Sequence, residues 1–415
     1  MRIALFTDTY PDDVNGVART LARLVAHART RGHAVALVTP QVSPEPAPDV
    51  YGHRQLPGFP VPMYSELQLA RGVDGVGKRM LREFAPDVVH VATESNVGFS
   101  GRRWALKNRV PLVTSFHTNF PAYLHDYRMG PLEPLLWRYL RWFHDRSLVT
   151  FCPSRDTLEG LQSQGFHDRL RVWSRGVDTE LFSPERRSEA VRAEIAPGAD
   201  RILIYVGRLA AEKRVDFLLE AFGRVRELTG PGTDLVFVGG GPAGNKLRAR
   251  APEGVHFTGY RTGLPLAEAF AAGDVFVFAS DTETFGNVVL EALSSGLPAI
   301  VVDKGGVRET VHAGRTGIRV PVGDLAAFAE ACVALSTDDE RRRVLSEGAR
   351  AEALSRNWDA ILDGLLREYA AAIACSRGEV SMEDLNGAAV AGDSQPSLGR
   401  SAFGPAFDGA EEGVT

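Results

Sequence analysis

Two glutamates stand close together in the stretch "FASDTETFGNVVLEALSSGLPAI", residues 278–300: Glu283 in a polar loop, and Glu291 among Val288, Val289, Leu290, Ala292 and Leu293. A carboxylate among apolar neighbours is rarely buried unless something pairs with it, so Glu291 needs a countercharge or a ligand. "DVFVFAS" reads as a strand, "DTETFG" as the loop after it, and "NVVLEALSSG" as a helix stopped by Gly296. Gly286 and Asn287 then sit where a strand end meets a helix N-terminus, the place where open parallel sheets bind anions. Gly286 lets the backbone approach a phosphate closely. Glu291, one turn into the helix, suits a ribose diol. The alternative is that Glu291 lies on an exposed helix face.

Other segments share this placement. "RLAAEKRVD" follows the strand "RILIYVG" and puts Arg208 and Lys213 at the same sheet edge, two cations suited to a diphosphate or, failing that, a solvated basic loop. "DLVFVGGGPAG" spells G-x-G-x-x-G at Gly239, Gly241 and Gly244. With Pro242 inside the turn and no acid at the ribose-binding distance, it reads as a tight strand–helix turn, and a dehydrogenase is the poorer reading. Nearer the N-terminus, Asn15-Gly16 precedes a helix as a close-approach glycine, and "VTSFHTNFPAYLHDY" puts His117 just past a strand. A lone histidine is more often structural. Facing the first set of residues across a cleft, it becomes a candidate for chemistry.

Short apolar runs alternating with helical patterns must position these groups, the signature of parallel sheets built from βαβ units. "RIALFT", "HAVALVTP", "DVVHVA", "PLVTSFH", "LVTFCPS" and "LRVWSRG" form one strand series; "RILIYVGR", "DLVFVGGG", "VHFTGY", "DVFVFASD" and "PAIVVDKGG" form a second. Between them, "SRGVDTELFSPERR" breaks the pattern. The expected fold is α/β, with two Rossmann-like doubly wound domains over residues 1–184 and 185–356. A final amphipathic helix over about 357–375 carries Trp358, Ile361, Leu362, Leu365, Leu366 and Tyr369 on one face, and is expected to pack back on the first domain. Residues 376–415 are poor in large apolar side chains and are expected to be a disordered acidic tail.

"NGV", "SFHT", "GVDTELFSP", "GRLAAEK", "VFVGGGP" and "ETFGNVVLEALSSGLPAI" occur in that order. Together they resemble the retaining glycosyltransferases of the GT4 family, over about residues 1–375. Within that family, "TDTYPDDVNGVARTL" and "FHTNFPAYLHDY" are most similar to GDP-mannose-dependent α-mannosyltransferases and to sulfoquinovosyl- and glucosyl-diacylglycerol synthases. The resemblance implies the GT-B fold, two domains facing across a cleft. It implies that Arg208 and Lys213 bind the donor diphosphate, Glu291 the ribose, Glu283 the donor sugar, Gly16 the phosphate–sugar region, and His117 the sugar near the reacting carbon. Phe285, Gly286 and Asn287 join the donor site; Asn119, Tyr123 and Tyr127 are acceptor-side candidates. "NGV" has one glycine where many members have two.

No D-x-D motif follows a suitable strand, so neither a metal nor a cofactor is expected, and the sugar nucleotide is a substrate. Arg208, Lys213 and backbone N–H groups are then expected to stabilise the departing nucleotide. The acceptor hydroxyl is expected to attack on the face the diphosphate leaves, and the diphosphate to take its proton. The reading is transfer of a hexose, mannose from GDP-mannose first, to a lipid or glycolipid. The alternatives are UDP-glucose or UDP-sulfoquinovose on diacylglycerol, a sugar-nucleotide epimerase, and a non-catalytic nucleotide-sugar-binding protein.

The 415 residues carry a formal net charge of −5, and residues from Ser376 onward hold seven acids against Arg377 and Arg400, which accounts for all of it. A neutral body argues against general nucleic-acid binding. Three cysteines far apart fit neither a disulfide framework nor a zinc site and suggest a reducing compartment. "MRIALFTDTY" enters a strand at once, and no run reaches the ~20 apolar residues of a membrane span. A cytoplasmic protein is expected. "PLEPLLWRYLRWFHDRS", with Arg102, Arg103, Trp104, Lys107 and Arg109 nearby, could rest peripherally on the inner, anionic face of the cell membrane or pack on its own domain.

Overall fold

The structure, a computed structural model, describes residues 1–10, 16–40, 47, 50–61, 64–70, 72–126 and 129–385. Asn15, Tyr127 and residues 386–415, which make up most of the expected tail, lie outside the described residues.

The first domain contains β1 (Arg2–Phe6), β2 (Ala34–Pro40), β3 (Gly52–Leu56), β4 (Gly58–Val61), β5 (Tyr64–Ala70), β6 (Val88–Val91), β7 (Leu112–Ser115), β8 (Val149–Cys152) and β9 (Leu170–Val172). Seven of them form a parallel sheet in the order β3-β2-β1-β6-β7-β8-β9, while β4 and β5 pair separately as an antiparallel ribbon. The second domain contains β10 (Arg201–Val206), β11 (Thr233–Val238), β12 (Val255–Gly259), β13 (Val275–Phe278), β14 (Ala299–Val302) and β15 (Gly317–Val320), in the order β12-β11-β10-β13-β14-β15. In each sheet the winding reverses beside the first strand, between β1 and β6 and between β10 and β13. Such reversals open a crevice at the carboxyl ends of the strands.

The inner strands read as unbroken apolar runs because helices cover both faces: β6, β7, β8, β13 and β14 are buried throughout. The sequence reading missed the ribbon of β4 and β5, and it missed β3, "GHRQL", and β15, "GIRV". The latter two are edge strands with partly exposed residues, so their polar character resembles a loop.

The last long helix, Trp358–Ser376, starts from an Asn357 cap whose Oδ1 accepts from the Ala360 N–H at 3.1 Å. It lies against the first domain, where Leu362, Leu365, Leu366 and Tyr369 join Ile3, Leu21 and Leu24 in one core cluster. The Tyr369 hydroxyl sits 2.7 Å from Nδ1 of His90 on β6. Asp363 accepts from Arg31 at 2.7 Å and meets His27 Nε2 at 2.7 Å, bracing the helix Gly16–Thr30. Folded chain continues to Leu385, past the expected start of the tail. Leu385 is buried, and its carbonyl accepts from Arg171 at 2.7 Å. The Leu385 side chain and this bond tie the ten residues from Ser376 to the first domain.

Candidate active site

The carboxyl edges of the two sheets enclose one cavity of about 610 Å³. Gly16, His117, Tyr123, Arg208, Lys213, Glu283, Phe285, Gly286, Asn287 and Glu291 all line it. Asn119 does not. Its Oδ1 accepts from the Ala122 N–H at 3.3 Å, at the start of the helix Phe120–Asp126.

Gly286 turns the chain from the β13 loop into the helix Asn287–Ser294 with φ 85°, and a Cβ there would lie 2.6 Å from Val307 Cγ1. The opposite edge comes equally close: a Cβ on Gly16 would lie 2.5 Å from Asn287 Nδ2. Glu291 is 7% exposed, so the exposed-face alternative fails. Its Oε1 accepts from Arg19 Nη1 at 3.0 Å, across the cleft from the helix Gly16–Thr30. Its Oε2 is buried without a hydrogen-bond partner. Burial pushes the carboxyl above its ordinary value, and Arg19 opposes that shift.

Lys213 donates to Glu283 Oε1, which also accepts from Ser280 Oγ at 2.9 Å. Burial alone would lower the Lys213 ammonium; the Glu283 carboxylate overcomes it and holds the group well above its ordinary range. The buried Tyr205 hydroxyl donates to the Arg208 carbonyl at 2.9 Å and fixes that loop. The three-glycine turn nests against the same loop: a Cβ on Gly239 would stand 2.0 Å from the Gly207 carbonyl oxygen.

His117, just past β7, is 6% exposed. Its Nδ1 lies 2.9 Å from Arg175 Nη2, and its Nε2 is buried without a partner. Burial, then Arg175, then His90 and His144 keep its pKa well below 6.5, so the ring is neutral near pH 7. Burial also draws the Arg175 guanidinium down to about 9, still protonated at neutral pH. Thr284 Oγ1 donates to the His117 carbonyl at 2.7 Å, and Glu309 accepts from the backbone N–H groups of Arg155 (3.0 Å) and Asp156. These bonds seat the loop after β13 and the helix Val307–Thr310 on the opposite domain.

The sequence reading missed Arg19, Arg175, Thr284 and the cavity-lining carboxylates Asp8 and Glu94. Asp8 follows β1 and Arg175 follows β9 within three residues, the same signal that singled out His117. Arg175 also stands at the start of the connector between the two strand series, which masks that signal.

Away from the cavity, the helix Glu133–His144 buries Leu140, Phe143 and His144. Leu135 and Trp142 are 59% and 46% exposed, and Trp142 stacks on Phe99 of the helix Asn96–Asn108 at 6.0 Å. Two of the arginines counted there are structural: Arg102 donates to the carbonyls of Phe143 and Trp142 at 2.8 and 3.0 Å, and Arg141 to that of Gln164 at 2.8 Å. Arg103, Lys107, Arg138 and Arg146 remain exposed. Among the described residues no helix is long and apolar enough to cross a membrane, and no group of three or more His, Cys, Asp or Glu is placed to hold a metal ion.

A family model described as Glycosyltransferase Family 4 matches residues 14–181, and one described as Glycosyl transferases group 1 matches residues 200–338. The chain is 36% identical over 379 residues to a GDP-mannose-dependent alpha-mannosyltransferase of Mycobacterium tuberculosis, covering 89% of this chain and 97% of that protein. It is 32% identical to the sulfoquinovosyl transferase SQD2 of Arabidopsis thaliana, covering 90% and 74%. Among solved structures, Anabaena HepE in complex with UDP and glucose superposes with a TM-score of 0.68 at 18% identity, covering 89% of this chain and 98% of that one. Sucrose-phosphate synthase of Thermosynechococcus elongatus does so with a TM-score of 0.69 at 18% identity, covering 90% and 99%. These likenesses carry the GT-B fold.

Proposed function

This chain belongs to glycosyltransferase family 4, and on that footing we propose that it moves a mannosyl group from GDP-mannose to a lipid or glycolipid acceptor with retention of anomeric configuration. The observation that carries the reading is the cavity itself, where Arg208 and Lys213 stand beside a helix N-terminus and Glu291 offers an unsatisfied carboxylate oxygen one turn further on. That spacing suits a nucleoside diphosphate: cations and N–H groups for the phosphates, a carboxylate for the ribose diol. Relatives that act with GDP-mannose, matched nearly end to end, support the donor.

The chemistry follows from which groups are committed. Glu283 is tied to Lys213 and Ser280 and so is poorly placed as a nucleophile towards the anomeric carbon. The bond from that carbon to the diphosphate breaks while the acceptor oxygen bonds on the same face, and the acceptor proton passes to the departing diphosphate. Arg208 and Lys213 stabilise the charge that develops on the leaving group, where a preorganised cation is most effective. Lys213 suits this role because its paired carboxylate keeps it protonated.

For the acceptor, the exposed Trp142, Phe99 and Leu135 with Arg103, Lys107, Arg138 and Arg146 suit peripheral contact with an anionic bilayer at the inner face of the membrane. Each such cation contributes about 1 kcal/mol near a charged surface. The test is a calorimetric titration with GDP and with UDP in the presence of EDTA. GDP should bind at least about tenfold more tightly than UDP, a difference of about 1.4 kcal/mol. Equal or tighter binding of UDP would move the donor to UDP-glucose or UDP-sulfoquinovose, and binding only after magnesium is restored would refute the metal-free site.

A further inference from the structure

Arg175 is 4% exposed, and among the described residues no carboxylate forms an ion pair with it. Its donors go to the carbonyls of Trp173 and Ser174 (3.1 Å) and to Nδ1 of His117 at 2.9 Å, while its guanidinium lies over the Trp173 ring, 4.7 Å from the centroid. A buried cation without a counter-ion is costly, and the cost is not explained by packing alone. The bond to His117 gives it a use. Arginine carries donors and no acceptor, so the ring nitrogen facing it must present a lone pair. A neutral imidazole has one N–H, which is then on Nε2. That atom is buried without a partner in a ring that lines the cavity.

We propose that Arg175 is a positioning residue that locks His117 in the neutral Nε2–H tautomer, so that the ring offers the sugar a hydrogen-bond donor and not a base. The use made of the donor rests on the cavity being a sugar-nucleotide site; the tautomer does not. The Trp173 ring meets the imidazole edge-to-face at 5.4 Å and limits its rotation. The charged or titratable groups acting on the ring are Arg175 after β9, His90 on β6 and His144 at the end of the helix Glu133–His144, all of them basic. A second proton on the ring would therefore meet Arg175 head-on. Neutrality matters at this place because a glycosyl transition state carries positive charge at the anomeric carbon, and a histidinium beside it would oppose the reaction.

Nitrogen-15 NMR of the full-length protein, with His117 assigned by comparison with His117→Gln, reads the tautomer directly. The expected spectrum is a protonated Nε2 and an unprotonated Nδ1, unchanged between about pH 5.5 and 8, where an ordinary imidazole titrates. Arg175→Met should give mixed tautomers or a ring that titrates in that range. Its kcat should fall about ten- to a hundredfold, the loss of one well-placed hydrogen bond, with GDP affinity kept within about twofold. Arg175→Lys, which retains a cationic donor, should restore the tautomer and part of the rate. A wild-type ring protonated at Nδ1, or an Arg175→Met protein with unchanged tautomer and kcat, overturns the proposal. If the methionine variant fails to fold, the wild-type spectrum and the lysine variant still decide. If no sugar nucleotide turns over while the tautomer is as expected, it is the sugar-transfer reading that has failed.

Discussion

Glu291 is held between burial, which favours its neutral form, and Arg19, which favours its charged form. One oxygen is spoken for and the other is not, so the carboxylate is poised to accept hydrogen bonds from a ligand without losing its existing partner. A carboxylate accepting from a hydroxyl pair is worth about 1.5–3 kcal/mol, so Glu291→Ala should weaken GDP binding about ten- to a hundredfold in calorimetry with the melting profile little changed. Unchanged affinity would leave Glu291 as no more than a partner for Arg19. The sequence showed that Glu291 was out of place on an apolar helix, and it could not show what answers it. Arg19 lies 272 positions away on the other domain, a contact that exists only when the cleft is formed. Arg175 was hidden differently: an arginine in a connector between strand series reads as solvated, and only the fold reveals that it is buried.

At the scale of elements, the two sheets were legible because their inner strands are covered on both faces and must be apolar throughout. Edge strands β3 and β15 escaped because exposure lets them be polar. The helix Trp358–Ser376 was legible from its single apolar face, and its docking on the first domain gives it an indirect part in the site. Through Asp363 it braces Arg31 and His27 at the end of the helix that carries Gly16 and Arg19. Leu365 is almost fully buried in the core shared by these helices, so Leu365→Ala should remove about 2–4 kcal/mol from the first domain by transfer loss and cavity formation. Urea unfolding followed separately in the two domains should show the first domain's transition moving to lower urea and the second's staying in place. Equal movement of both, or of neither, would mean that this helix does not belong to the first domain's core.

For the whole molecule, the proposed membrane contact and the proposed nucleotide site fall on different domains: the exposed cationic, aromatic face belongs to the first, and Arg208 and Lys213 to the second. Changing Arg103, Lys107 and Arg138 to glutamate should abolish co-sedimentation with anionic vesicles at low salt and leave GDP affinity unchanged, because Arg208 and Lys213, the cations proposed for the diphosphate, belong to the second domain. A wild-type protein that ignores such vesicles would contradict this. The restart of the strand series announced two domains; how closely they approach depends on the Arg19, Thr284 and Glu309 contacts, which no local pattern encodes. The most direct test of the account as a whole is to incubate the protein with GDP-mannose labelled in the sugar, anionic vesicles containing glycolipid acceptors, and EDTA, and to follow the label into the organic phase. The expected product is an α-linked mannolipid, formed without added metal and greatly reduced in Glu291→Ala. Label that stays water-soluble, a β-linked product, or transfer only from a UDP-sugar would contradict it.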